Sequence, residues 1–431
     1  MLSIIGFITI ILVVVILLRG KMIPIVPLVI IPLIGAFVAG FGLSDIGGFF
    51  EEGLSTVVNV AIMFIFAILY FGIMQSVGLF DPLINKMVQL TRGNIITISL
   101  GTVIIAAIAQ LDGSGASTFL ITIPALLPLY NRMKMNPYLL LLLIGGSAAI
   151  MNMLPWAGPL GRAASVLDMD VTELWRPLIP IQAIGMVLML VLAFLLGQRE
   201  KKRIERQYGT IDLDVEEVTE TVEEKEAGSL KLLWFNFILT VAVIGVLVWG
   251  IIPAGFAFMI GVSIALPVNY RTATAQNDII KTHAASALTM GTIILGAGSF
   301  LGILTGTGML DSIAMDTVKV IPGAISSYIH LIIGFFGVPL DLLLSTDAYY
   351  FALLPVADQI GLTFGISSLA TTYAMIIGNI VGTFVSPFSP ALWLALGLAN
   401  LEMGKHIRYS IFWLWGISIV LLIVAFFFGL I

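Results

Sequence analysis

The chain has 431 residues, 59% of them hydrophobic and only 10% charged, with a formal net charge of −5 and a mean hydropathy of +1.10. Soluble domains carry about 25% charged residues, so this chain has too few to coat a water-facing surface. The lack of cysteine excludes a disulfide framework, Cys-ligated zinc or iron–sulfur, and a thiol nucleophile.

Successive apolar runs of about 17–25 residues are each long enough to cross a hydrocarbon core of about 30 Å. Residues 2–18 read as a retained first helix, because Arg19 and Lys21 follow the apolar run instead of preceding it as in a cleaved signal peptide. Further crossings are expected at 23–42, 53–78, 138–168 and 173–198, then at 231–249, 251–269, 285–306, 367–400 and 410–430. Segments 95–131 and 324–360 have polar apices and many Gly and Pro, and read as re-entrant hairpins. The one long polar stretch, 199–230, reads as a solvated linker with some helix.

The chain also repeats itself. Gly78-Leu-Phe-Asp81 returns as Gly308-Met-Leu-Asp311, the segment 112–119 lies over 344–351, and 154–159 lies over 386–390. This divides the chain into an N-terminal repeat, 1–198, and a C-terminal repeat, 231–431. Each carries scaffold helices (2–78 and 231–306) and a transport part (95–198 and 324–431). Five crossings per half is an odd number, so the second half must be inverted relative to the first. With the N-terminus outside, all but Arg162, Arg176 and Lys319 of the 20 Lys and Arg fall on the inner side, as the positive-inside rule requires. Both termini are then outside and the linker inside, in a bacterial cytoplasmic (inner) membrane. The fold expected is all-α and integral to the membrane.

Irregular backbone inside a membrane must be buried in protein or line a watery site. Four such places occur, two per half: the apices 111–118 and 344–349, and the broken helices at 152–159 and 382–390. Discontinuous helices at matching positions of two halves point to a transport site. An isolated carboxylate near mid-bilayer costs about 2.5–3.5 kcal/mol on insertion scales, so it is usually partnered, protonated or ion-bound. Asp112 and Asp347, with Thr118 beside the first, therefore read as a proton- or cation-coupling set. The plainer alternative is that the carboxylates cap apex amides.

Ser114, Gly115, Ser117, Asn152, Pro155, Gly158, Ser345, Thr346, Ser386, Pro387 and Ser389 read as a substrate site of hydroxyls, amide oxygen and freed backbone. Helix-end capping is their alternative. Arg162 has no basic counterpart in the second half, where 392–394 is Leu-Trp-Leu. It can hold a carboxylate bidentately, or instead snorkel outward or pair with Asp168 or Asp170. His283 and His406 are expected to be solvated in inner loops, and His330 to pack in a hairpin arm. No two-histidine metal spacing, phosphate loop or Ser-His-Asp arrangement is present, and the basic residues form no nucleic-acid footprint. A membrane enzyme, a channel and a sensor are all disfavoured.

At 111–135 (LDGSGASTFLITIPALLPLYNRMKM), 152–165 (NMLPWAGPLGRAAS), 173–182, 345–355 (STDAYYFALLP) and 386–404 the sequence resembles the CitMHS family. These are citrate–metal:proton symporters of the ion-transporter superfamily, and the likeness covers nearly the whole chain. It implies proton-driven uptake of citrate complexed with a divalent metal. It also implies a homodimer in the bilayer whose hairpin-bearing domains move as elevators. The metal would enter as part of the substrate complex, near Asp112 and Asp347, with no resident cofactor. A cation/proton antiporter, or a symporter of another small carboxylate, remains as the alternative on the same architecture.

Overall fold

The computed structural model describes residues 1–19, 21–79, 82, 94–208, 230–319 and 328–431, and no strand occurs among them. Phe80 and Asp81 of the first repeated motif, the basic residues Lys86 and Arg92, linker residues 209–229 and the start of the second hairpin lie outside the described residues.

The first half runs α1 (Leu2–Arg19), α2 (Ile25–Val38), α3 (Leu43–Ser76), α4 (Ile95–Ala109), a 3-10 turn (Gln110–Asp112), α5 (Gly115–Arg132) and α6 (Pro137–Met151). It ends in α7 (Gly158–Val166), α8 (Val171–Trp175) and α9 (Ile179–Tyr208). The second half runs α10 (Leu230–Trp249), α11 (Ala254–Asn269), α12 (Ala273–Gly306), α13 (Met309–Val318), α14 (Ile329–Phe335) and α15 (Gly337–Asp341). A π-helical segment (Ala348–Leu353), α16 (Leu354–Thr363), α17 (Ser368–Ile380), α18 (Pro390–Ala399) and α19 (Met403–Phe427) complete it. Six helical stretches among the described residues are long and apolar enough to cross a membrane, and large apolar side chains such as Trp249, Phe412 and Phe427 face outward.

Local chemistry sets many of these boundaries. Asn94, Asn136, Thr272 and Ser367 each accept a hydrogen bond from an amide in the first turn of the helix that follows. The Asp45 carboxylate accepts from the Gly42 amide at 3.2 Å, so α3 starts ten residues before the expected crossing. Thr272 likewise starts α12 well before 285. At the other end of the half, α9 continues into the linker. Its charged end is held by Glu200 accepting from the Asn136 amide at 2.6 Å, and by Arg203 donating to the Lys134 carbonyl. Helices α3 and α12 are both 34 residues long and begin 230 positions apart.

The helices pack as two groups. In one, α12 and α11 lie against α3, α12 against α2, and α1 against α2 and α13; in the other, α4 to α6 pack with α9 and α18, and α14 and α15 pack with α17 and α19. Glycine makes the closest approaches. A Cβ on Gly53 of α3 would collide with the Gly298 carbonyl and the Gly302 Cα of α12. One on Gly378 of α17 would collide with the Gly334 backbone of α14. Small residues let helix backbones touch where lipid offers no hydrophobic drive to associate.

Two histidines depart from expectation. His406 is not solvated: α19 begins at Met403, and the ring is buried, donating to the Phe384 carbonyl at 3.0 Å and meeting Ser410 Oγ at 3.3 Å. His283 lies within α12 instead of a loop, its ring against Gly72 of α3 and its Nε2 3.0 Å from Ser76 Oγ. Both sit where a longer helix than expected carries them into packing. His330 is buried in α14, as expected for a packed arm residue.

Candidate functional site

The irregular segments are tied together within and between the halves: the first apex touches both breaks, and the second apex meets the helix that follows the first break. Within the first half, Gln110 Nε2 donates to Asn152 Oδ1 at 2.8 Å, tying the apex to the broken helix. The Trp156 indole donates to the Leu111 carbonyl at 2.8 Å, a second tie between the same segments. Thr118 Oγ1 donates to Gln110 Oε1 at 2.5 Å, so one glutamine joins both arms of the hairpin to the break. In the second half, Ser386 Oγ donates to the Asp341 carbonyl and accepts from the Phe388 amide at 3.3 Å.

The ties between halves are of two kinds. Gly115, at the start of α5, lies against the ring of Phe384, leaving no room there for a side chain. Phe119, one turn on, packs edge to face with that ring at 5.2 Å. These contacts seat the first apex on the second break. In the reverse sense, Arg162 Nε of α7 donates to Asp347 Oδ1 at 2.7 Å, joining the first break to the second apex. The side chains are 9% and 14% exposed, so this is a buried ion pair. Gly158 lies one helical turn before Arg162, and any side chain there would occupy the space of the guanidinium.

Arg162 therefore pairs with Asp347 and not with Asp168 or Asp170; the Asp170 carboxylate instead caps α8, accepting from Thr172 and Glu173. Asp112 accepts from the Ser114 amide at 2.8 Å, the capping geometry weighed against its coupling role. Gly113 follows it with φ of 75°, a left-handed turn that only glycine makes without strain. Ser114 in turn caps α5 by accepting from the Ser117 amide, and Ser117 Oγ reaches Gln75 Oε1 of α3 at 3.5 Å. Ser345 accepts from the Ala348 amide at 3.2 Å. The Pro387 carbonyl accepts from the Trp393 indole at 2.8 Å. Pro155 is buried in the first break. Thr346 and Ser389 are half-buried and make no side-chain hydrogen bond among the described residues.

Three participants carried no weight in the sequence reading. Gln75 and Gln110 are polar residues in apolar runs, a signal easily passed over. Asp341 is a single acid in the apolar stretch Phe336–Leu344, the pattern that marks an intramembrane functional group. A cleft of about 390 Å³ opens elsewhere, between α3, α11 and the 168–171 loop, and none of the expected site residues lines it. No three His, Cys, Asp or Glu side chains among the described residues converge on a common point as a metal cage would require.

Comparisons with known proteins agree with one another. The CitMHS family model, described as a citrate transporter, matches residues 4–378. The citrate transporter of Bacillus subtilis (strain 168) is 35% identical over 434 residues, covering all of both chains. The Mg(2+)/citrate complex secondary transporter of the same organism is 36% identical, covering 96% of this chain and 95% of that protein. The crystal structure of the Alcanivorax borkumensis YdaH transporter superposes with a TM-score of 0.60, covering 88% of this chain and 87% of that one. Sequence identity there is 17%, a likeness of fold alone.

Proposed function

This chain belongs to the CitMHS citrate transporter family, and we propose that it takes up citrate as a complex with a divalent metal, driven by protons. The observation that carries the reading is the buried Arg162–Asp347 pair, formed between the first broken helix and the second apex. A 1:1 complex of citrate with a divalent cation presents both a carboxylate and a partly coordinated metal. It can split such a pair by giving each member a new counter-ion: the guanidinium takes a citrate carboxylate and the Asp347 carboxylate takes the metal. Paired with each other or with the substrate complex, neither charge is buried alone, which would be costly.

The remaining oxygens suit this role. Asn152, Ser386, Ser389 and the freed backbone of both breaks offer neutral donors and acceptors to the other citrate carboxylates. Citrate and water supply most of the octahedral oxygen shell that Mg²⁺ demands, so the protein has no need of a multi-carboxylate cage. The Mg(2+)/citrate name of one relative supports the metal complex as substrate.

The architecture in this reading is an inverted pair of repeats, with the α3–α12 group as scaffold and the hairpin-bearing group moving as an elevator in a homodimer. Both termini lie outside a bacterial cytoplasmic membrane. Contacts among charged ends support the sidedness. Arg176 donates to the Val248 carbonyl at the C-terminal end of α10, and both segments are assigned outside. Lys134 and Asn136 meet Arg203 and Glu200, all assigned inside. Gln359 donates to Asp311 at 2.6 Å, both assigned outside.

Uptake of radiolabelled citrate into proteoliposomes, with an inward proton gradient and a panel of divalent metals, tests the proposal. Accumulation is expected only with both metal and gradient. Equal uptake in the presence of a chelator removes the metal complex from the reading. No citrate uptake with any metal removes citrate itself and leaves cation/proton exchange as the reading to test with Na⁺.

A further inference from the structure

Asp341 lies just before the second apex, where its carbonyl accepts from Ser386 of the second break. It ends α15 with its side chain 1% exposed, and neither carboxylate oxygen has a hydrogen-bond partner among the described residues. Asp347 has Arg162, and Asp112 has the Ser114 amide. The neutral Asn379 amide stands beside Asp341, and its Nδ2 also donates to the Gly337 carbonyl at 3.4 Å. Gly382 of the second break leaves the space into which Asp341 Oδ2 projects, for a Cβ there would stand 3.0 Å away.

Among the described residues no cation pairs with Asp341. From the π-helical segment come the phenols of Tyr349 and Tyr350. Tyr349 donates to the Met375 carbonyl, while the Tyr350 hydroxyl is buried without a partner among the described residues. From α17 comes the neutral Asn379, and that helix also carries the buried Tyr373. Of the other helices packed against α15, α19 carries His406, engaged by Phe384 and Ser410, and α14 carries His330, whose Nδ1 has no partner among the described residues. Burial without a cation makes the charge of such a carboxylate costly, and a proton removes that cost.

Resting on the proposed proton-driven symport, we infer that Asp341 is the proton-binding site of the transport cycle. Its position answers both requirements of a coupled carrier. It is joined to the substrate region, because its own carbonyl accepts from Ser386 of the second break. It is also closed from water in the packed state. Open to the outer solution, the carboxylate takes a proton from hydronium and leaves water. As the neutral acid it is buried with the substrate, and on the inner side it returns the proton to water. Charge balance favours the same group. The Arg162–Asp347 pair sums to zero, so an anionic substrate complex entering beside an ionised Asp341 would add like charge to like, and the proton removes the repulsion.

The test compares full-length wild type with Asp341→Asn in proteoliposomes. It reads Mg²⁺-citrate accumulation under a proton gradient, citrate exchange without a gradient, and the carboxylic-acid C=O stretch in pH-difference infrared spectra. In the variant, accumulation above equilibrium is expected to vanish, exchange to survive, and one pH-dependent acid band to disappear. Wild-type accumulation by Asp341→Asn, or an unchanged infrared band, overturns the inference. So does loss of exchange together with accumulation, because the side chain would then serve movement and not coupling. If the variant does not fold, Asp341→Glu decides: the pH midpoint of the band must move, and an unmoved midpoint overturns the inference. If the wild type accumulates no citrate with any metal, the symport reading fails, while the infrared band still reports whether Asp341 binds a proton.

Discussion

Arg162 and Asp347 meet at 2.7 Å although 185 positions separate them in the chain. Removing either member strands the other in a buried site, a loss of about 3–5 kcal/mol. Arg162→Ala and Asp347→Ala are each expected to lower the melting temperature in detergent and abolish citrate uptake. The double variant should be more stable than the sum of the two losses allows. A strictly additive double-mutant cycle would mean that the pair does not exist in solution. Arg162→Lys should rescue stability better than uptake, because an ammonium lacks the guanidinium's two-pronged fit to a carboxylate.

Gln110 spans both hairpin arms and the first break through Thr118 and Asn152. Gln110→Leu leaves the buried Asn152 Oδ1 without its donor, at about 1–3 kcal/mol, while Thr118 keeps its bond to the Ser114 carbonyl. We expect a lower melting temperature and a raised KM for citrate, since Asn152 would lose its fixed orientation. Unchanged uptake kinetics would separate this network from the substrate.

Gly53 lets α3 lie directly on the backbone of α12. Gly53→Leu must push the two helices apart, and overpacking of this kind costs about 1–3 kcal/mol or more. The expected result is loss of thermal stability far from the site, with KM unaffected in whatever protein remains folded. A melting temperature equal to wild type would deny this close crossing.

The natural absence of cysteine makes single-cysteine labelling direct. Lys281→Cys and Lys405→Cys, both at exposed positions, are expected to react with a membrane-impermeant maleimide only from the cytoplasmic side. Glu173→Cys and Lys319→Cys should react only from the outer side. The reverse pattern would invert the proposed orientation, and a mixed pattern would break the assignment of five crossings per half.

Apolar run length and the placement of Pro and Gly made most helices legible in the sequence, including both breaks and the polar turn at 110–114. Side-chain partners were less accessible. The capping role of Asp112 depends only on the amide two residues on, so the local sequence already contained it. The partner of Arg162 is fixed by how α7 lies against the π-helical segment, which no local pattern encodes. Polarity suggested solvated loops for His283 and His406, but caps at Thr272 and a helix start at Met403 draw both rings inward. Asp341 was visible as an acid in an apolar run. That neither of its oxygens meets a hydrogen-bond partner among the described residues emerges only from the packing of its neighbours.

The interlocking of the two halves limits how alike they can be. Position for position, Arg162 lies over the Leu392–Leu394 segment, and Asp347 lies over Gly115. A chain made of the first half twice would supply two arginines and no acid to meet them, and one made of the second half twice would supply the acids alone. The helical frame can be copied; the charges it carries cannot. The site is in effect a heterodimer interface folded into a single polypeptide.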